Sequence, residues 1–334
     1  MAEGPDRPVG PRPGGRRLVP VLKIFYATDV HGSETTFRKW LNAAKHYGAD
    51  VLVMGGDLTG KMLVPVVQEA DGSWTARFEG SVVRVEDERE LQNLEKAIRT
   101  RGYYVQRMTP EERAAIQTPE QVDELFHRHI AQVLESWVAL ADERLDAAKT
   151  PAFWMPGNDD HQFVDEYVNR SKAIRNVDGQ VVEIDGYYLL SIGNANVTPW
   201  NCPRDVSEEV LAAKIDELAQ QVPDMSRCIF NVHAPPWGSN LDLAPELDED
   251  FKPTMEAGGL KMVPVGSTAV LEAIRKYQPL LSLHGHIHEC SAGIRIGRTL
   301  CINTGSEYHE GVLRGALILL DPKKGVKNFA LTVG

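Results

Sequence analysis

The chain has 334 residues, of which 43% are hydrophobic and 25% charged, and it carries a formal net charge of -11. That length suits one large domain, or one domain with a sizeable insertion, and the composition is that of an ordinary globular protein. The acidic balance disfavours a broad basic face for gripping nucleic acid.

Residues 1–20, MAEGPDRPVGPRPGGRRLVP, are rich in Pro, Gly and Arg and cannot bury a core, so a disordered tail is expected there. The tail lacks the apolar stretch of a secretory signal, and no later run is long enough to cross a bilayer. The four cysteines, Cys202, Cys228, Cys290 and Cys301, are scattered and form no CxxC. Reduced, mostly buried thiols and a cytoplasmic protein without a membrane partner are therefore expected.

A domain is expected over residues 21–334. Val21–Ala27 and Val51–Met54 read as buried strands, with a helical pattern over Glu34–His46 between them. Residues 61–148 break this alternation and read as a cap-like insertion of hairpins and helices. Leu63–Val67, Trp74–Phe78 and Val82–Val85 are hairpin pieces around the turn Asp71-Gly72. Thr118–Ala148 is a long helix with Thr118 as cap and Pro119 at its first position. Its stripe of Val122, Leu125, Phe126, Val133, Leu134, Trp137, Ala141 and Leu145 reads as a core-facing side.

Alternation then resumes. Ala152–Met155, Cys228–Val232 and Leu280–Leu283 read as buried strands, and Gln162–Val168, Val210–Leu218 and Ser267–Tyr277 as helices. Beyond residue 290, Ile294–Ile296, Leu300–Asn303, Leu313–Leu320 and Val326–Val333 look like an antiparallel meander. The whole pattern indicates an α/β layered fold.

Each of the five buried strands runs into a potential metal ligand. The first leads to Asp29 and His31, the second to Asp57, the third to Asn158, the fourth to His233, and the fifth to His286 and His288. Loops beyond the carboxyl ends of strands in such sheets converge on one site. Gly56, Gly157 and Gly285 sit where the backbone has to turn sharply toward a crowded cluster. Carboxylate, imidazole and amide without thiolate suit Mn, Fe, Zn, Co or Ni better than an all-oxygen Mg or Ca site.

The order D-x-H, GD, GN, H, GHxH resembles the calcineurin-like metallophosphoesterases over nearly the whole chain outside the tail and the insertion. The stretch from Val265 through Gln278-Pro279 to His288 looks most like the branch of Icc-related predicted phosphoesterases. The resemblance implies a four-layer α-β-β-α sandwich. It implies two divalent metal ions, one held by Asp29, His31 and His288 and the other by Asn158, His233 and His286, with Asp57 bridging. The ions would lie about 3.5–4 Å apart and share a hydroxide that attacks phosphorus in line.

Many members carry a histidine after the GN asparagine that protonates the leaving oxygen; here Asp159 stands there, followed by Asp160. Three readings stay open. Asp159 is the acid, a nearby histidine has taken over, or the leaving group needs no acid. His161 reads first as a surface or capping residue. His309 and Tyr308, in the turn beyond a late strand, are candidates to touch substrate. His284 reads as a core histidine, and His127 and His129 as solvated or packed. Gly60 is expected to leave room around Asp57, and Asn231 and Asp242 to orient ligands. The loop Trp237–Pro264 is long enough to be a lid over the site.

The expected activity is hydrolysis of a small phosphorylated molecule, with a nucleotide among the candidates, and diesters are preferred over monoesters because the acid histidine is missing. A nuclease that uses residues 61–148 as a platform is the alternative, resting on Arg84, Arg89, Lys96, Arg99 and Arg101. A scaffold that keeps the fold without the chemistry is the third reading, disfavoured because every ligand type is present.

Overall fold

A computed structural model describes residues 21–334, so the tail expected over 1–20 lies outside the described residues. Two six-stranded sheets face one another. The first runs Gly325–Val333, Arg314–Asp321, Leu22–Ala27, Val51–Met54, Ala152–Trp154, Ile174–Asn176. The second runs Ala292–Ile296, Thr299–Asn303, Leu281–His284, Cys228–Val232, Tyr187–Ile192, Gln180–Ile184.

Successive side chains of a strand point to opposite faces, so each central strand feeds two cores. Ile24 and Tyr26 enter the core between the sheets with Val53, Met155, Leu189, Ile229, Leu281 and Ile318. Phe25 turns outward to Phe37 and Trp40 of the helix Glu34–Tyr47, where Trp137 and Trp154 join it. On the far side, Leu190 and Phe230 pack under Leu211 and Ile215 of the helix Glu208–Ala219 and Val270 and Ile274 of the helix Thr268–Tyr277. The architecture is the α-β-β-α sandwich that the resemblance implied.

The expected terminal meander is not one. Ala292–Ile296 and Thr299–Asn303 form a hairpin in the second sheet, where Thr299–Asn303 lies parallel to Leu281–His284. The chain then crosses, and Arg314–Asp321 pairs antiparallel with Leu22–Ala27 in the first sheet. Ala316, Ile318 and Leu320 are needed in the core between the sheets, while the outer strand Gly325–Val333 forms a largely exposed edge. The pair Gln180–Ile184 and Tyr187–Ile192, which no motif marked, builds the far edge of the second sheet.

Residues 61–148 divide. Leu63–Gln68, Trp74–Phe78, Ser81–Val85 and Tyr104–Met108 form a separate four-stranded sheet. It is backed by the helix Glu88–Thr100 around Val64, Val66, Leu91, Leu94 and Ile98. The helix Pro119–Arg144, capped by Thr118 with a reciprocal bond from Gln121, belongs to the sandwich: Ile130, Leu134, Trp137 and Ala141 join the outer layer of the first sheet. Of the predicted stripe, Leu134, Trp137 and Ala141 are buried, Phe126, Val133 and Leu145 are partly buried against them, and Val122 is exposed. Among the described residues no helix is long and apolar enough to cross a membrane.

Candidate metal centre

The seven motif residues converge at the carboxyl ends of the strands, in the seam between the sheets. Local backbone is bent to bring them there. Asp29, His31, Asp57 and His286 all have φ between 40° and 68°, a region that costs non-glycine residues energy and persists only where the surroundings enforce it. The enforcement is visible as hydrogen bonds from the backbone N–H groups of Asp29, His31 and Gly32 to the carbonyls of Gly56, Asp57 and Leu58.

The glycines serve space more than backbone freedom. Of Gly56, Gly157 and Gly285, only Gly56, at φ 123°, needs a special conformation. A Cβ at Gly157 would sit 2.1 Å from Asp57 Oδ1, and one at Gly285 would sit 2.3 Å from Asp29 Oδ2. Gly60 does not make room for Asp57 as expected. A Cβ there would strike the Gly102 carbonyl at 2.1 Å, and its N–H donates to the Tyr104 hydroxyl, so Gly60 docks the insertion.

The ligand atoms gather in two groups that share no residue, Asp29, His31 and His288, and Asp57, His233 and His286, and a third group, His31, Asp57 and Asp159, joins them. His31 Nε2 and His288 Nε2 lie 3.0 Å apart. Asp57 Oδ2 is 3.5 Å from His31 and 3.4 Å from His233, which puts it between the groups. Asn158 Oδ1 lies 3.0 Å from His286 Nδ1, because its amide N–H donates to Asp205 and fixes the flip.

These residues fit a divalent cation. His233 donates from Nδ1 to the Gly55 carbonyl at 2.8 Å, leaving buried Nε2 with no hydrogen-bond partner and facing inward. A backbone acceptor on the outer nitrogen is how metal-binding imidazoles are oriented. Asp29 is positioned by the Thr28 hydroxyl and the His286 N–H.

Burial works to lower His233, but the Asp57 carboxylate outweighs it and pushes the imidazole up to about 10, whereas burial draws His286 down to about 4. His233 is thus the imidazole that carries a proton at neutral pH, and a cation has to displace it. Cation uptake is expected to release about one proton near pH 7 and to weaken as pH falls. Calorimetry in two buffers of different ionisation enthalpy checks this, and uptake without proton release would contradict it.

Around the centre the structure sorts the remaining candidates. Asp159 is not free to act as an acid. Although burial would raise its pKa, the Lys61 ammonium at 2.5 Å and His31 hold the carboxyl well below its ordinary range, and the Cys202 thiol donates to its other oxygen at 2.8 Å. Tyr308 lays its ring on His31, with centroids 4.7 Å apart. His309 turns away, exposed beside Glu310, and is not brought to the centre. His161 is half-buried against His127 and Phe163, and His129 pairs with Gln106. His284 is a core residue held between the carbonyls of Val232 and Ala234.

Asn231 and Asp242 do not orient ligands. Asn231 donates to Ser191, and Asp242 gathers the N–H groups of Gly238, Ser239 and Gly266 at the two ends of the long loop. That loop carries two small hairpins, Leu243–Pro245 with Met262–Pro264 and Met255–Glu256 with Gly259–Leu260. The orienting roles fall to Asp205 and to Asn303, whose amide donates to the Gly285 and Ile287 carbonyls of the last ligand loop. Nothing in the spacing pointed to Asp205, which lies 47 residues from its partner.

Asp160 has a role that its place beside Asp159 does not announce. It is fully buried, and its carboxylate accepts from the N–H groups of Leu58, Thr59 and Gly157 and from the Thr59 hydroxyl, stapling the second ligand loop to the third. Asp160→Ala strands three buried N–H donors and is expected to cost about 3 kcal/mol or more of stability, read by chemical denaturation.

The basic residues of the insertion are largely neutralised. Arg84 pairs with Asp71, Arg99 with Glu95, and Arg101 with Glu79 and Glu310. All four cysteines are free.

No family model matches the chain. Over 174 residues it is 29% identical to MJ1162 of Methanocaldococcus jannaschii, described only as an uncharacterized protein, and the match covers 51% of this chain and 72% of the other. Among solved structures, TT1561 of Thermus thermophilus has a TM-score of 0.50 at 15% identity, covering 94% of this chain and 99% of its own. A further solved chain has a TM-score of 0.55 at 16% identity, covering 93% of this chain and 98% of its own. These likenesses show a shared fold.

Proposed function

We propose that this chain, which has the α-β-β-α fold of the calcineurin-like metallophosphoesterases, is a phosphoester hydrolase dependent on two divalent metal ions. The observation that carries the reading is the two groups of ligand atoms with Asp57 Oδ2 between them and Asn158 Oδ1 beside His286. Asp29, His31 and His288 would hold one ion, Asn158, His233 and His286 the other, and Asp57 both. When bound, such ions neutralise charge on phosphoryl oxygens and make a potent nucleophile of water near neutral pH. The protein's part is orientation. Gly55 and Asp205 fix the faces of His233 and Asn158, and the Ser306 hydroxyl donates to the Asp29 carbonyl at 2.6 Å.

Diesters, or esters with acidic leaving groups, are the favoured substrates. The position beside Asn158 carries a carboxylate tied to Lys61 instead of an imidazole, so a leaving group that departs unprotonated is served best. A small phosphorylated molecule such as a nucleotide is proposed, in a cytoplasmic setting, with Mn, Fe, Zn, Co or Ni as the metal. The nuclease reading loses support because three of the five arginines and lysines behind it are paired with acids. Metal analysis is expected to give two equivalents per chain, and Mn-loaded protein to hydrolyse bis-aryl phosphodiesters faster than aryl monoesters. Absence of both bound metal and turnover would sink the reading and return the scaffold; faster monoester turnover would reverse the diester preference alone.

A further inference from the structure

The spacing of motifs drew attention to Gly60 and passed over its neighbour. Lys61 is the first residue past the second ligand loop, and its root is fixed because the Gly60 N–H is bonded to the buried Tyr104 hydroxyl. Its ammonium lies 2.5 Å from Asp159 Oδ2, and its side chain remains 43% exposed.

Asp159 is itself anchored. Its N–H donates to Asp57 Oδ1 at 3.1 Å, Cys202 donates to Oδ1, and Oδ2 lies 3.8 Å from His31 Nδ1. The ion pair therefore holds a cation at a fixed place on the His31 side of the centre. The other cation nearby, Arg204, is buried and spent on Asp165 and Asp178 and on the carbonyls of Asp160 and His161. An ammonium has three N–H donors, and Asp159 is the one acid within ion-pair distance of it among the described residues, so donors remain for a second anion.

We propose that Lys61, held by Asp159, is the substrate-binding cation of this site and donates to a non-bridging oxygen of the bound phosphoryl group. The inference rests on the phosphoester-hydrolase reading. It gives the carboxylate in the place of the family histidine a positioning role: Asp159 aims Lys61 instead of supplying a proton. Lys61 contributes charge that does not depend on which metal is bound, and it stays outside the ligand set.

Titration of Mn-loaded protein with inorganic phosphate tests this by calorimetry. Lys61→Met is expected to weaken phosphate binding roughly 10- to 100-fold, the range for a charge-assisted hydrogen bond, with the bound metal unchanged. Lys61→Arg restores most of the affinity, and Asp159→Asn, which frees the ammonium to wander, falls between. In turnover the Lys61→Met loss appears mainly in KM for an aryl diester. Phosphate binding unchanged by Lys61→Met, or Lys61→Arg no better than Lys61→Met, overturns the proposal. Wild-type protein that binds no phosphate also overturns it. Failure of the hydrolase reading is seen separately, as wild-type protein that retains no metal and turns over no ester.

Discussion

Asp57→Ala is expected to reduce phosphoester hydrolysis by about 1,000-fold or more and to lower the bound metal below two equivalents, while the protein stays folded. Asp57 Oδ2 lies between the two groups, 3.5 Å from His31 and 3.4 Å from His233, nearer to both than Asp29 Oδ1 at 3.8 and 3.9 Å. Removing it withdraws a negative charge that two cations would share, and the cations then repel each other with less between them. It also strips His233 of the partner that overcomes the burial of its imidazole. The remaining frame should survive, since Gly55, Asp205 and Asp160 hold their loops without Asp57. Metal content, ester turnover and thermal unfolding on the same sample check the three parts. Full activity with two metals retained would remove Asp57 from the centre.

Gly157→Ala is expected to approach that loss although it deletes no ligand. The added Cβ would lie 2.1 Å from Asp57 Oδ1 and 2.3 Å from the Asp57 backbone nitrogen. A side chain can swing away from such a contact, but the backbone nitrogen cannot move without the loop that carries it. The loop is stapled by Asp160, which holds both Gly157 and Leu58. Relief therefore comes by displacing Asp57 against its ligand partners. Overpacking of this kind costs about 1–3 kcal/mol in stability. A shift of about 1 Å in a positioned group costs on the order of 100-fold in rate. Gly72→Ala is a matched control in an open turn, where a Cβ would touch nothing within 4 Å. Its left-handed φ of 86° carries its own small cost in stability. Unchanged turnover and metal content in Gly157→Ala would show that the third ligand loop is looser than its contacts imply.

The seven candidate ligands and the strand ends that carry them were legible in the sequence for a local reason. Each sits a few residues beyond a short apolar run, as Asp29 follows Leu22–Ala27 and His286 follows Leu281–His284. A run buried on both faces announces both a strand and the loop at its end. Residues whose role is set by distant partners were not legible. Lys61 meets Asp159 across 98 positions, and Asp205 meets Asn158 across 47. Neither has a pattern of its own, because a charged side chain on a loop looks the same whether it is solvated or paired. The terminal hairpins show the same divide. Apolar alternation marks Arg314–Asp321 as a strand, but only the need to fill the space beside Leu22–Ala27 decides which sheet it joins. Local chemistry determined which residue types the strand ends present and where along the chain they stand. Tertiary packing decided that Lys61 meets Asp159, because Val51–Met54 and Ala152–Trp154, far apart in the chain, pair side by side in the first sheet.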